Sequence, residues 1–475
     1  MTVSHESPTR TDTDSLGPVE VPSESLWGAS TQRALNTFPE SSTPLPRSFI
    51  HSLGLVKKAC AAANAELGKI SLENSELIQQ VTKEIAAGKL DSHFPVSVFQ
   101  TGSGTSSNMN ANEVIANRCS QLSGKKLGSK DPIHPNDHAN LGQSSNDVIP
   151  TTLHLSLALA LKNDLRPALS KLRKELAKKS ENWSDTIKLG RTHLMDAVPI
   201  TIGQEFGAFA RQIEKSIQRA DRGIDLLGEL AIGGTAVGSG LNTHPQFGTL
   251  VCRILSTDTA INFREAINHF EAQSSRDDAV ELAGILCAIA TALSKVSNDI
   301  RLLGTGPRAG LGELQLPETQ PGSSIMPGKV NPVLCESLVQ SCHSAIGHCQ
   351  TAIRCGQDGH LQLNATLPLL ASSLHQAIEA LARGCQSFTQ HCVEGLQANT
   401  ERCQNYAKNA LGLATALNPK VGYDSATKAA QLAHKNNTSI HEAARELKLL
   451  DAEQLEETLD PKSLALPHSA KRELE

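Results

Sequence analysis

The sequence predicts an all-α protein built on a bundle of long helices, and three observations carry that expectation. Apolar residues at Phe206, Ala210, Ile213, Ile217, Ala220, Ile224 and Leu227 step by four and three without a break, which draws one apolar seam along a helix of about six turns. The same stepping recurs at Leu282, Leu286, Ile289, Leu293, Val296, Ile300 and Leu303, and again at Cys335, Val339, Cys342, Ile346, Cys349 and Ile353. Strand-like alternation is scarce, and the Gly/Ser/Asn-rich segments fall between the helical runs, where loops belong. Seams with a period near 3.5 pack at crossing angles of about 20°. Several of them in one chain leave apolar surface that continues into a partner bundle, so a homo-oligomer is expected.

Along the chain, residues 1–18 are polar and Ser/Thr-rich, with too many acids for a transit peptide, and read as a flexible tail. An N-terminal domain follows over 19–141, and the long-helix bundle occupies 142–399. A short seam through Leu165, Leu169, Leu172 and Leu176 adds a fourth helix to the bundle. Residues 400–475 make a small C-terminal domain. Cys335, Cys342 and Cys349 recur every seventh residue, with His343 and His348 nearby. Seven helical residues separate side chains by roughly 10 Å, too far to share one ion, so these cysteines read as small core knobs and no metal site is expected.

Composition narrows the function. With 475 residues the chain can bury a substantial core. Its 44 basic and 49 acidic side chains nearly balance, and Trp, Tyr and Phe are few, so neither a basic face nor stacking platforms for nucleic acid are indicated. The most apolar stretches, such as Leu282 to Leu293, fall short of the roughly 20 residues that a membrane span needs, and no apolar signal core is expected at the N-terminus. Eleven cysteines without a CxxC pair fit reduced thiols, and a cytoplasmic location is expected.

Four polar segments concentrate chemistry: Thr101 to Asn110 (TGSGTSSNMN), Gly142 to Asp147 (GQSSND), Gly190 to His193 (GRTH) and Gly322 to Pro332 (GSSIMPGKVNP). Each joins glycines, which let backbone N–H groups approach a ligand, to small hydroxyl and amide donors. Gly322 to Lys329 is not a nucleotide phosphate loop, because five residues separate its glycines and Val330 stands where a magnesium-binding Ser/Thr belongs. Gly304 to Gly310 is not a dinucleotide loop, since a heptad helix precedes it instead of a strand.

The last of the four segments offers a base or nucleophile, Ser323 or Ser324, then a cation, Lys329, and an amide donor, Asn331, ahead of a helix beginning near Pro332. A carboxylate suits such a helix N-terminus. His193 lies in a polar loop before a long helix, and Glu336 lies in the first turn after the serine loop. If the two meet in space, the Glu orients the His as a general acid/base.

These residues resemble class II fumarate hydratase, of the fumarase/aspartase superfamily. The resemblance rests on Leu26 to Arg33, Thr101 to Glu113, His134 to Asp137, Ser144 to Asp147, Gly190 to Leu194, Gly233 to Asn242 and Gly322 to Pro332, in order along nearly the whole chain. It implies a three-domain chain whose long central helices assemble into the helical core of a homotetramer, with each active site built from loops of three subunits. The implied activity is the reversible, stereospecific hydration of fumarate to L-malate, a tricarboxylic acid cycle reaction, with no metal or other cofactor. The implied catalytic residues are Ser323, His193 and Glu336. The implied substrate contacts are Ser103, Gly104, Thr105, Ser144, Ser145, Asn146, Thr192, Ser324, Lys329, Val330 and Asn331.

Two departures and two alternatives accompany the resemblance. The family's second, surface dicarboxylate site corresponds to His134, Pro135, Asn136 and Asp137 with a basic residue three places before the His, where this chain has Asp131. Gly359 to Ala365 lacks the aromatic residue usual in the family, which bears on packing. Aspartate ammonia-lyase shares most of the motifs but usually carries Gln in place of His193. Hydration needs a base to activate water, which favours the hydratase. A non-catalytic homologue would keep the scaffold without these side chains.

Overall fold

The computed structural model describes residues 8–39 and 43–465. Helices dominate, and the strands among the described residues pair only into two-stranded ribbons. The expected seams appear as helices Ile202–Leu226, Asp277–Leu303 and Val333–Gln357, with Arg166–Asn182 as the fourth. Phe206, Ile213, Leu286, Leu293, Ile300, Cys335, Cys342 and Cys349 are all fully buried, so the cysteines are core knobs as their spacing suggested. The described residues divide into two discontinuous compact units, one drawn from positions 8–167, 218–290 and 343–382 and the other from positions 168–217, 291–342 and 383–465.

In the first unit, helix Arg47–Glu66 packs along helices Leu72–Ala86, Ser145–Ala160 and Phe247–Thr259. Its buried face, from Phe49 and Leu53 through Val56 to Cys60 and Ala63, follows helical spacing. One buried position of that face is Lys57.

In the second unit, residues 410–459 form their own core, with Leu413, Leu417, Ala429, Ala443, Leu455 and Leu459 packed around Leu189. Leu189 belongs to a hairpin, Ile187–Thr192 paired antiparallel with Met195–Thr201.

Three features differ from the sequence reading. Residues 9–18 are no loose tail: Thr9–Asp14 and Gly17–Pro22 form an antiparallel hairpin. Its polar composition hid the ordering contacts, which come from Arg10 donating to the carbonyls of Pro22, Ser23, Ser25 and Trp27. Residues 1–7 of the expected tail lie outside the described residues. His193 lies in a polar loop as expected, but that loop is the two-residue turn of a hairpin whose strands the sequence hid, because Gly190 and Pro199 interrupt the strand signal. The apolar stretch Leu282 to Leu293 is part of a 27-residue helix long and apolar enough, by length and composition alone, to cross a membrane, with half of its most apolar window buried. The Ala, Gly, Cys, Ser and Thr between its large apolar residues extend the stretch beyond what those residues mark.

Candidate active site

In the first unit two helix N-termini meet. Helix Thr105–Leu122 starts after Gly104, and helix Ser145–Ala160 starts after Ser144, whose side chain and Asp147 form a reciprocal capping box. Ile149 on the second helix packs against Gly104 on the first. Ser103 Oγ and Thr105 Oγ1 lie 2.8 Å apart. Asn108 Nδ2 donates to Ser145 Oγ at 3.1 Å, and Asn146 Nδ2 donates to the Ala236 carbonyl at 2.8 Å.

The loop ahead of the first helix is pinned from outside. A Cβ on Gly102 would lie 1.6 Å from the Ala365 carbonyl oxygen, so only glycine fits. Converging helix N-termini lined with hydroxyl and amide groups suit an anion.

Below this surface lies a buried polar layer. Lys57 Nζ donates to Asn140 Oδ1 at 3.0 Å and to Gln143 Oε1 at 2.9 Å. Asp147, also fully buried, accepts from the backbone N–H groups of Ser144, Gly233 and Thr235. Desolvation pushes its carboxyl up to about 6 despite those three donors. Asn108 and Gln143 lie within two of the polar segments without having been assigned a role, and neither Lys57 nor Asn140 emerged from the motifs, although a lysine inside a helical apolar stripe was a legible signal.

In the second unit, the Ile187–Thr192 and Met195–Thr201 hairpin turns through His193 and Leu194, both with positive φ (56° and 61°), the geometry of a two-residue turn between twisted strands. Thr192 and His193 are exposed at this tip. Its base is fixed by charge: Lys188 pairs with Glu205 at 2.7 Å and with Glu313 at 3.0 Å, and Arg191 pairs with Glu313 at 2.8 Å.

The serine loop is closed at its neck, where Asn331 Nδ2 donates to the Gly322 carbonyl. A Cβ on Gly322 would sit 1.7 Å from the Lys329 carbonyl oxygen. Ser323 Oγ accepts from the backbone N–H groups of Ile325 and Met326, at 3.2 and 3.0 Å. Ser324 is exposed, and Lys329 and Val330 line a cavity of 620 Å³ with Gly304, Leu314 and Gln397. Glu336 is exposed in the first turn of helix Val333–Gln357. Among the described residues, no hydrogen bond or ion pair joins His193 to Glu336 within the chain.

The His134 to Asp137 segment turns on itself. His134 Nδ1 accepts from the N–H groups of Asn136 and Asp137 and lies 3.2 Å from the Asp137 carboxylate. Asp131 is bridged by Lys125 at 3.2 Å. The adjoining 480 Å³ cavity, which Pro135 and Asn136 also line, is bordered by Asp12, Asp14 and Glu113 beside Lys130.

Comparisons with known proteins identify the family. The family described as "Lyase" matches residues 17–347, and "Fumarase C C-terminus" matches residues 413–465. The chain is 46% identical over 459 residues to fumarate hydratase class II 2 of Bradyrhizobium diazoefficiens, with 97% of each chain covered. It is 45% identical over 462 residues to the mitochondrial fumarate hydratase of Saccharomyces cerevisiae, covering 96% of this chain and 94% of that one. The crystal structure of recombinant class II fumarase from Schistosoma mansoni matches with a TM-score of 0.94 at 39% identity, over 97% of this chain and 100% of that one. The chain therefore belongs to the class II fumarate hydratase family.

Proposed function

We propose that the protein is a hydro-lyase that interconverts fumarate and L-malate, with Ser323 as the carbon base. The observation that carries this reading is the pair of backbone N–H groups directed at Ser323 Oγ. A serine hydroxyl is a weak base until its alkoxide is stabilised, and two fixed donors in a constrained loop do that without reorganisation. In the dehydration direction Ser323 takes the proton from C3 of malate, and the electron pair delocalises into the adjacent carboxylate. Lys329 and Asn331, with Ser324 and the backbone around Val330, supply the positive charge and donors for that dianionic group.

His193 protonates the departing hydroxyl, which leaves as water, and takes a proton from water in the reverse direction. Ser103, Gly104, Thr105, Ser144, Ser145, Asn146 and Thr192 hold the substrate carboxylates and hydroxyl. Glu336 orients His193 in the assembled site. Because the two do not meet within one chain, this pairing needs a second copy, which fits a homotetramer with shared sites. Ile217, Ile224, Val339, Ile346 and Ile353, half-buried on seams whose other members are buried, supply the apolar surface for that assembly. Ten of the eleven cysteines are buried thiols, which suits a reducing compartment such as the cytoplasm.

The test is the purified protein with L-malate as sole substrate, followed through the ultraviolet absorbance of fumarate, and then with L-aspartate. A rise with malate alone supports the hydratase. A rise with aspartate alone would transfer the chain to the ammonia-lyases, and silence with both would overturn the reading.

A further inference from the structure

We propose that Lys57 is a positioning residue for dicarboxylate binding, holding the Ser145 hydroxyl as a donor through Asn140 and Asn108 and placing a cation without a direct ion-pair partner beneath the two helix N-termini. The proposal rests on the hydratase reading for the identity of the substrate, and on the geometry for everything else.

Lys57 is 1% exposed, and its hydrogen-bond acceptors are two neutral amides, Asn140 Oδ1 and Gln143 Oε1. Among the described residues no carboxylate lies within ion-pair distance of it. Asp147 is the nearby acid that acts on it through space, and that carboxylate is already occupied by the N–H groups of Ser144, Gly233 and Thr235. A buried cation without a direct counter-ion is costly. It is offset when an anion binds close by. Burial pushes the ammonium down to about 8, so it remains charged at neutral pH.

The amides around Lys57 are locked in orientation. Asn140 Nδ2 donates to the Gln143 carbonyl, and Gln143 Nε2 donates to the carbonyls of Ala139 and Leu141. Both amide oxygens therefore face Lys57. Asn140 Oδ1 accepts a second bond from Asn108 Nδ2 at 3.1 Å, and the same nitrogen reaches Ser145 Oγ at 3.1 Å. A serine hydroxyl has one proton to give. With an acceptor position of Ser145 filled by Asn108, that proton is available to a ligand carboxylate.

The experiment uses the full chain and compares wild type with Lys57→Met and Asn108→Leu. It measures kcat and KM for L-malate, the Kd for succinate, a dicarboxylate that cannot react, by calorimetry, and the far-ultraviolet circular dichroism of each variant. For Lys57→Met the expected result is a rise of about tenfold or more in both KM and the succinate Kd, with kcat within about threefold and an unchanged spectrum. Asn108→Leu, which keeps the charge and removes the relay, moves both constants in the same direction by a smaller factor. Wild-type KM and Kd in a folded Lys57→Met protein, or a loss confined to kcat, would overturn the proposal. If Lys57→Met does not fold, unchanged constants in Asn108→Leu overturn it and raised ones sustain it. A wild-type protein that binds succinate through Lys57 without turning over malate rejects the hydration reading alone. One that does neither rejects both.

Discussion

Lys188 and Glu313 form an ion pair 3.0 Å long whose side chains are 2% and 1% exposed. The contact ties the base of the His193 hairpin to the segment following helix Asp277–Leu303, and Glu313 is held a second time by Arg191 at 2.8 Å. Burial on this scale makes each partner dependent on the other. Lys188→Met leaves Glu205 and Glu313 without their shared cation and is expected to cost roughly 3–5 kcal/mol, read from urea unfolding. The double change Lys188→Met with Glu313→Leu recovers part of that loss, because it removes the buried acid that Arg191 alone is left to pair. A single variant as stable as the wild type would show that the pair carries no structural role.

His193→Asn tests the proposed acid/base. Asn tolerates the positive φ of 56° that this turn position requires, and the side chain is exposed, so folding is expected to be unchanged. Turnover of malate falls by about two to four orders of magnitude, while the thermal midpoint stays with the wild type. Near-normal turnover would remove His193 from the mechanism.

The bundle was legible because burial in long helices obeys one periodicity, and Cys335, Cys342 and Cys349 could be assigned to the core from spacing alone. Ser323, Lys329 and Ser145 stood out because glycine-bounded polar segments are unusual between apolar helices. The two long hairpins were not legible. Strands of six or seven residues that contain Gly190 and Pro199, or that read TRTDTD and GPVEVP, give too little apolar alternation to mark them. They are held by distant partners such as Glu313 and by the carbonyls that Arg10 gathers. The Lys57 layer was missed for a related reason: Asn108, Asn140 and Gln143 lie far from Lys57 in sequence, and ordinary polar residues acquire meaning only when the fold stacks them.

Gly322→Ala probes the serine loop without touching a proposed catalytic side chain. The added methyl group would occupy the position of the Lys329 carbonyl oxygen, so the neck must open and the Asn331 to Gly322 bond is lost. Because the loop is largely exposed, stability is expected to change by less than about 1 kcal/mol. Turnover falls by about tenfold or more, since a small displacement of Ser323 spoils its approach to the reacting carbon. Equal losses of stability and activity would instead mark the loop as a structural brace.

The acid limb of stability should be set by two buried histidines of the first unit. Burial holds His154 and His375 down at about 4, with His154 Nδ1 bonded to the Glu229 carbonyl and His375 bridging Ser48 and Ser156. Unfolded imidazoles take up protons near pH 6.5, so between about 6.5 and 4 the unfolded chain binds more protons than the folded one. Stability is therefore complete above that window and falls as the pH drops through it, by up to roughly 3 kcal/mol for each histidine. Asp147 opposes them. Its folded carboxyl lies at about 6, above the unfolded value, so it adds stability as the pH falls through the same range and reduces the net loss. Urea unfolding at a series of pH values between 4 and 7.5 should show a net decline towards acid, and His375→Gln should make that slope shallower. An unaltered slope in the variant would mean that His375 binds its proton equally in both states.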